Sequence, residues 1–127
     1  MVCQLIAYHS EYKLDDLAMD INGPCFAVDS GQGCIFEATH YRDASVIEGN
    51  PQNINIYGES DKFYGAVCDI TLGKVEANKY YGCMKYGIVS QSGGGDGGYQ
   101  VYLSKNGDGK VVGVKVVYIT DEEVEEF

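Results

Sequence analysis

The residues from Ser90 to Ile119, SQSGGGDGGYQVYLSKNGDGKVVGVKVVYI, decide the fold class. Tyr99, Val101 and Leu103 alternate with Gln100, Tyr102 and Ser104, and Val112, Val114, Val116 and Tyr118 alternate with Gly113, Lys115, Val117 and Ile119. A period of two belongs to a strand, whose successive side chains point to opposite faces. Between the runs stand Asn106, Gly107, Asp108 and Gly109, residue types that accept the positive φ angles of a tight reversal. The stretch predicts a glycine-rich loop feeding a β-hairpin. Its second strand is apolar on both faces except at Lys115, so one face should be buried, the other partly covered, and the strand central or nearly so.

The flanking chain reads as further short strands, at Val2–Tyr8, Cys25–Val28, Cys34–Thr39, Asn53–Tyr57, Phe63–Leu72 and Tyr80–Ser90. Asp29-Ser30-Gly31-Gln32-Gly33, between the second and third of these, reads as the turn of another hairpin, and the polar stretch Tyr41–Gln52 as a loop. One helix is expected near residues 10–22, where Leu14, Leu17, Ala18 and Ile21 recur on one face, Ser10 can cap the start and Asn22-Gly23-Pro24 ends it. The sum is a mainly β (β-dominated α+β) fold, an antiparallel sandwich or partly closed barrel of about six or seven strands. It should occupy a single domain over residues 1–120, with an acidic C-terminal tail at 121–127.

The 127 residues carry 19 acids against 9 bases, a formal charge of −10 that disfavours nucleic acid and anionic lipid as direct partners. Five cysteines, an odd count without CxxC spacing, argue against a disulfide framework or a zinc cluster. No apolar run approaches the roughly 20 residues of a membrane span. The N-terminus lacks the basic segment of a secretion signal, so a cytoplasmic location with reduced thiols is expected.

Specific chemistries find little footing. Gly93, Gly95 and Gly98 form a literal GxGxxG, but a dinucleotide cradle must open a helix, whereas this string opens YQVYL, and Asp96 would repel phosphate. Ser104, Asn106, Asp108 and Gly109 match part of a calcium loop, yet its twelfth position, which needs a bidentate Glu, is Lys115. Cys34, Glu37 and His40 lie close in sequence, but on a straight strand 34 and 40 face away from 37. Cys68 adjoins Asp69, a neighbour that would raise a thiol pKa and not activate it. No catalytic residue, metal site or cofactor is therefore assigned.

Val28-Asp29-Ser30-Gly31, the Tyr64–Asp69 segment YGAVCD, and Gly95-Asp96-Gly97-Gly98-Tyr99-Gln100-Val101-Tyr102 ahead of a valine-rich strand resemble, across roughly residues 24–119, a family of small bacterial and phage proteins defined only as a domain of unknown function. The chain departs from that pattern at Gly94, where relatives often carry an aromatic, and at Gly33–Glu37. The resemblance implies a compact β-rich fold and no established activity. It directs attention to Asp29, Ser30, Gly95, Asp96, Gly97 and Tyr99 as a candidate binding site, because an aspartate between glycines beside a tyrosine can shape a small polar pocket; Asp96 could equally cap backbone amides of a tight loop. The function expected is a small acidic, non-catalytic protein-binding module, of inhibitor or immunity type, whose partner presents a basic surface. The alternative is a small-molecule or metabolite-binding module with a pocket near the Gly-Asp-Gly loop, and a third class is an enzyme using Cys34 or Cys68. The oligomeric state is left open.

Overall fold

The computed structural model describes residues 2–42, 62–93 and 95–125. The chain divides into two compact units, one built from Met1–Gly31 and Ser92–Phe127, the other from Gln32–Gln91. The fold is mainly β: among the described residues, eight strands form two antiparallel sheets, neither closed into a barrel. The expected strand at Asn53–Tyr57, and the expected loop beyond Arg42, lie outside the described residues.

The first unit is organised by the predicted hairpin. β1 (Gln4–Tyr8), β8 (Val111–Val117) and β7 (Gly97–Lys105) lie in that order, and β2 (Ile21–Asn22) and β3 (Phe26–Val28) share the far side of β7. β8 is thus central, as its double-faced apolar pattern requires. Leu5, Val116 and Val101 form one cross-strand row and are all buried, Val116 to 1% exposure. The reversal is held by Asn106, whose Oδ1 accepts from the Asp108 and Lys110 N–H groups at 2.9 and 3.0 Å, while Gly109 supplies φ +78°. These residues spend their polar groups on the turn, as the hairpin reading demands.

The helix expected near residues 10–22 does not form. A single 3-10 turn, Leu14–Asp16, is followed by extended chain that ends in β2. Its intended apolar face finds nothing to cover: Leu14 and Ile21 stay 39% and 38% exposed. Ile21 and Asn22 instead pair with Leu103 and Tyr102 of β7, and the Gly23 N–H donates to Val101 O at 2.8 Å. Ladder bonds at an open strand edge outweigh the weak helix propensity of a segment carrying Asp15, Asp16 and Asp20.

In the second unit β4 (Gln32–Phe36), β6 (Gly87–Gln91) and β5 (Tyr81–Met84) form a three-stranded sheet in that order. α1 (Lys62–Thr71) packs on it through Phe63 and Val67, with Val89 fully buried between Cys34, Phe36, Ile70 and Met84. The stretch expected as a strand at Phe63–Leu72 is therefore helical. Phe63, Val67 and Ile70 stand at i, i+4 and i+7, a helix face that its β-branched and aromatic content disguises. Thr71, also fully buried, donates its hydroxyl to Val67 O at 2.9 Å and accepts from Gln32 Nε2 at 2.9 Å, tying the helix end to β4.

Two further expectations change. β3 and β4 do not form a hairpin with each other: β3 pairs with β7 and β4 with β6, so Asp29–Gly31 is the passage from one sheet to the next. Tyr80–Ser90 is two strands, reversed at Lys85-Tyr86, where Tyr86 takes φ 70° without the glycine or asparagine that would have advertised the turn. Among the described residues no helix is long and apolar enough to cross a membrane.

Candidate functional site

The second face of the first unit's sheet is only partly covered. Register places Gln4, Val117 and Gln100 in one row and Ile6, Lys115 and Tyr102 in the next. Tyr8, Gly113 and Ser104 form a third, on which the Met19 thioether lies so closely that a Cβ at Gly113 would stand 2.4 Å from its Cε. Beyond β8 the chain turns into α2 (Asp121–Glu125). Its start is a reciprocal cap: Thr120 Oγ1 accepts from the Glu123 N–H, and Glu123 Oε1 accepts from the Thr120 N–H, each at 3.2 Å. Between Met19, the two open rows and α2 runs a groove of about 450 Å³. Lys115 is its one basic lining residue, lying over the Tyr102 ring with Nζ 5.3 Å from the centroid; Asp121 and Glu123 supply the opposite charge, and Gln4 and Gln100 supply amides. The groove can hold a chain or ligand carrying both polar and apolar groups.

The sequence-derived site gathers at one end of this sheet. Val28 pairs with Gly97 at the last step of the β3–β7 ladder, Asp29 and Ser30 follow β3, Asp96 precedes β7, and all three are exposed. Gly93, Gly95 and Gly97 all take positive φ, and a strand, not a helix, leaves them. Gly95 is the knot of the loop: its carbonyl accepts from Ser92 Oγ at 2.7 Å and from the Tyr99 hydroxyl, and its N–H donates to Ser92 O at 3.2 Å. The Tyr99 ring meets Tyr118 edge-on, centroids 5.2 Å apart. Of the six nominated residues, only Tyr99 lines the groove. Gln4, Gln100, Tyr102, Asp121 and Glu123 were not nominated; the one signal in the sequence was Lys115, a lone charge in a valine run.

Because the Tyr99 hydroxyl closes the loop, Tyr99→Phe is expected to cost about 1 kcal/mol of stability, Ser92 keeping the Gly95 carbonyl satisfied. Urea titration measures the loss, and hydrogen exchange should show it first in the Gly93–Gly98 amides.

The second unit holds the candidate nucleophile and base. The strand ends at Phe36, and the 3-10 turn Ala38–His40 supplies the bend that brings His40 Nε2 within 3.2 Å of Glu37 Oε2. Thr39 donates to the same carboxylate, and the His40 ring stacks flat on Tyr86, centroids 3.9 Å apart. Cys34 packs against the core, and burial pushes its thiol pKa up, away from the thiolate a nucleophile needs. With an aryl disulfide reagent at neutral pH, exposed Cys25 and Cys83 should react first, and Cys34 and Cys68 only as the chain unfolds. Fast labelling of Cys34 in the native protein would return the enzyme class to consideration. Among the described residues no three His, Cys, Asp or Glu side chains are grouped to hold a metal ion.

Comparison with known proteins adds a family. The model of DUF4241, proteins of unknown function, matches residues 7–116, most of the chain. The chain belongs to the DUF4241 family. The DUF4241 match includes Gln100, Tyr102 and Lys115 of the groove and ends before α2, so Gln4, Asp121 and Glu123 lie beyond it. No curated protein and no solved structure gives a significant match.

Proposed function

We propose that this DUF4241 protein is a small, non-catalytic protein-binding module that takes a partner with a basic surface through its first unit. One observation carries the reading: the first unit has 12 acids against 4 bases, a formal −8, while the second has 7 against 5, a formal −2. Glu11, Asp15, Asp16, Asp20, Asp29, Asp96 and Asp108 are exposed there, as are the acids of α2. A one-sign field of this kind accelerates encounter with an opposite charge and selects against like-charged partners. An inhibitor or immunity-type role in the cytoplasm of a bacterium, or of one carrying a phage, belongs to the same reading.

The test uses lysine- and arginine-rich synthetic peptides followed by fluorescence anisotropy. Binding should weaken from low to high salt and in the triple variant D15K/D16K/D20K, and should withstand Glu76→Lys in the second unit. Affinity indifferent to salt would count against the proposal.

The groove favours a second reading, a metabolite-binding module, since its volume of about 450 Å³ falls within the range of small-ligand sites and it borders Gly98 and Tyr99 of the Gly-Asp-Gly loop. Thermal-shift hits from a metabolite panel that disappear in Lys115→Ala and Tyr102→Phe would support it. A panel without hits at millimolar ligand would leave the protein-binding reading alone.

A further inference from the structure

We infer that β1 is a docking edge, and that the partner enters as an extended basic segment adding a strand beside it. The inference rests on the protein-binding reading and names the place and mode of contact. Within the first unit β1 pairs only with β8, and the pairing phase is set by its flanks: Cys3 O accepts from the Tyr118 N–H at 2.8 Å, and the His9 N–H donates to Val112 O at 2.9 Å. In an antiparallel ladder hydrogen-bonded positions alternate with outward-facing ones. Cys3, Leu5, Ala7 and His9 therefore bond inward to β8, and Gln4, Ile6 and Tyr8 turn their N–H and C=O groups to the free side. Among the described residues nothing accepts or donates there.

Free edges are ordinarily blunted by lysine, proline, a bulge or short length. β1, QLIAY, has none of these: it is uncharged, free of proline, and in unbroken register over five residues. The opposite edge of the same sheet is broken into β2 and β3, of two and three residues. β4 in the second unit is another uncharged five-residue edge, but a unit with a formal −2 selects no occupant by charge.

Charge chooses the occupant of β1. A second copy would bring another formal −8 to the same edge, which opposes edge-to-edge pairing. A basic strand meets the reverse situation. Its residue beside Gln4 would share the sheet face of the groove that Gln4, Asp121 and Glu123 line, the place for Lys or Arg. Residues beside Leu5 and Ala7 would extend the apolar face, the place for Val, Ile or Leu. Main-chain bonds would supply affinity and the alternating side chains specificity, as in other strand additions.

The experiment uses labelled synthetic peptides in which valine and threonine alternate with lysine, each made in two versions N-methylated on one or the other set of alternate residues. Methylation of the set facing β1 should weaken binding by about tenfold or more, and methylation of the other set should leave it unchanged. On binding, the Gln4, Ile6 and Tyr8 amides should gain protection from hydrogen exchange. Ile6→Pro, which deletes an outward donor and no bond to β8, should abolish the effect; should that variant fail to fold, the two N-methylated series still decide. Salt-sensitive binding that ignores both methylation patterns, protection confined to other strands, or self-association through β1 on concentration overturns the edge and leaves the acidic-module reading standing. Absence of binding by every peptide overturns both.

Discussion

Gly93→Ala is expected to lower the unfolding free energy by about 2–4 kcal/mol and the melting temperature by about 10 °C. Gly93 takes φ +58°, a left-handed conformation that costs an alanine about 1 kcal/mol or more. An added Cβ would also stand 2.7 Å from Val2 O and 2.8 Å from Tyr118 Cβ, inside any normal contact distance. Neither neighbour is free to retreat. The backbone beside Val2 is pinned where Cys3 O accepts from the Tyr118 and Ile119 N–H groups at 2.8 and 3.1 Å, and Tyr118 is 4% exposed beneath Phe26 and Tyr99. Overpacking and dihedral strain therefore add. Gly98→Ala is the matched control: it lies in the same segment with open space at its Cβ position, and its cost should stay within about 1 kcal/mol. Urea and thermal melts of the two variants make the comparison. Equal stability of the pair would show that the loop is not clamped between Val2 and Tyr118.

The second large effect belongs to the other unit. Gly87→Ala should cost about 2–3 kcal/mol, because a Cβ there would lie 2.5 Å from Phe36 Cδ2 and Cγ. Gly87 and Phe36 are cross-strand partners, and the Phe36 ring lies directly over the glycine. That ring is itself wedged, edge-on to Phe63 at 5.2 Å and tilted on Tyr41 at 6.3 Å, so it cannot swing aside without opening the core around Val89. Shortening the ring should relieve the clash, so Gly87→Ala ought to cost less in a Phe36→Leu background than alone. Such a double-mutant cycle isolates the coupling. Hydrogen exchange should place the loss in β4, β5, β6 and α1. Additive costs would mean that the ring adapts freely, contrary to this packing.

The hairpin of β7 and β8 was legible because everything that specifies it is local. The alternation of Tyr99, Val101 and Leu103, the valine run and the Asn106–Gly109 reversal act over a few residues, and the same residue types satisfy the turn in the folded chain. The Lys85-Tyr86 reversal was not legible, since neither residue advertises it. At residues 10–22 a genuine helical spacing misled, because spacing records an apolar stripe and says nothing about whether a surface exists to bury it. At Phe63–Thr71 the residue types favoured a strand and the spacing a helix, and packing onto Val89 decided for the spacing. Asp29 and Ser30 leave the end of β3 that pairs with Gly97, and Gly95 and Asp96 lead into β7, but the groove draws on β1, β8 and α2, which no short motif connects.

By itself the sequence determined a mainly β chain, the position and sense of its C-terminal hairpin, and a formal charge of −10. Those properties follow from side-chain period, turn stereochemistry and composition, each complete within a short stretch or insensitive to arrangement. Only the tertiary structure decided which strands pair, that β3 and β4 part into different sheets, that Phe63–Thr71 coils, and that the acids concentrate in the unit in which, among the described residues, β1 pairs with β8 alone. Strand pairing and helix burial are settled by competition for hydrogen-bonding edges and apolar faces far apart in the chain, and no residue carries a record of that competition in its near neighbours.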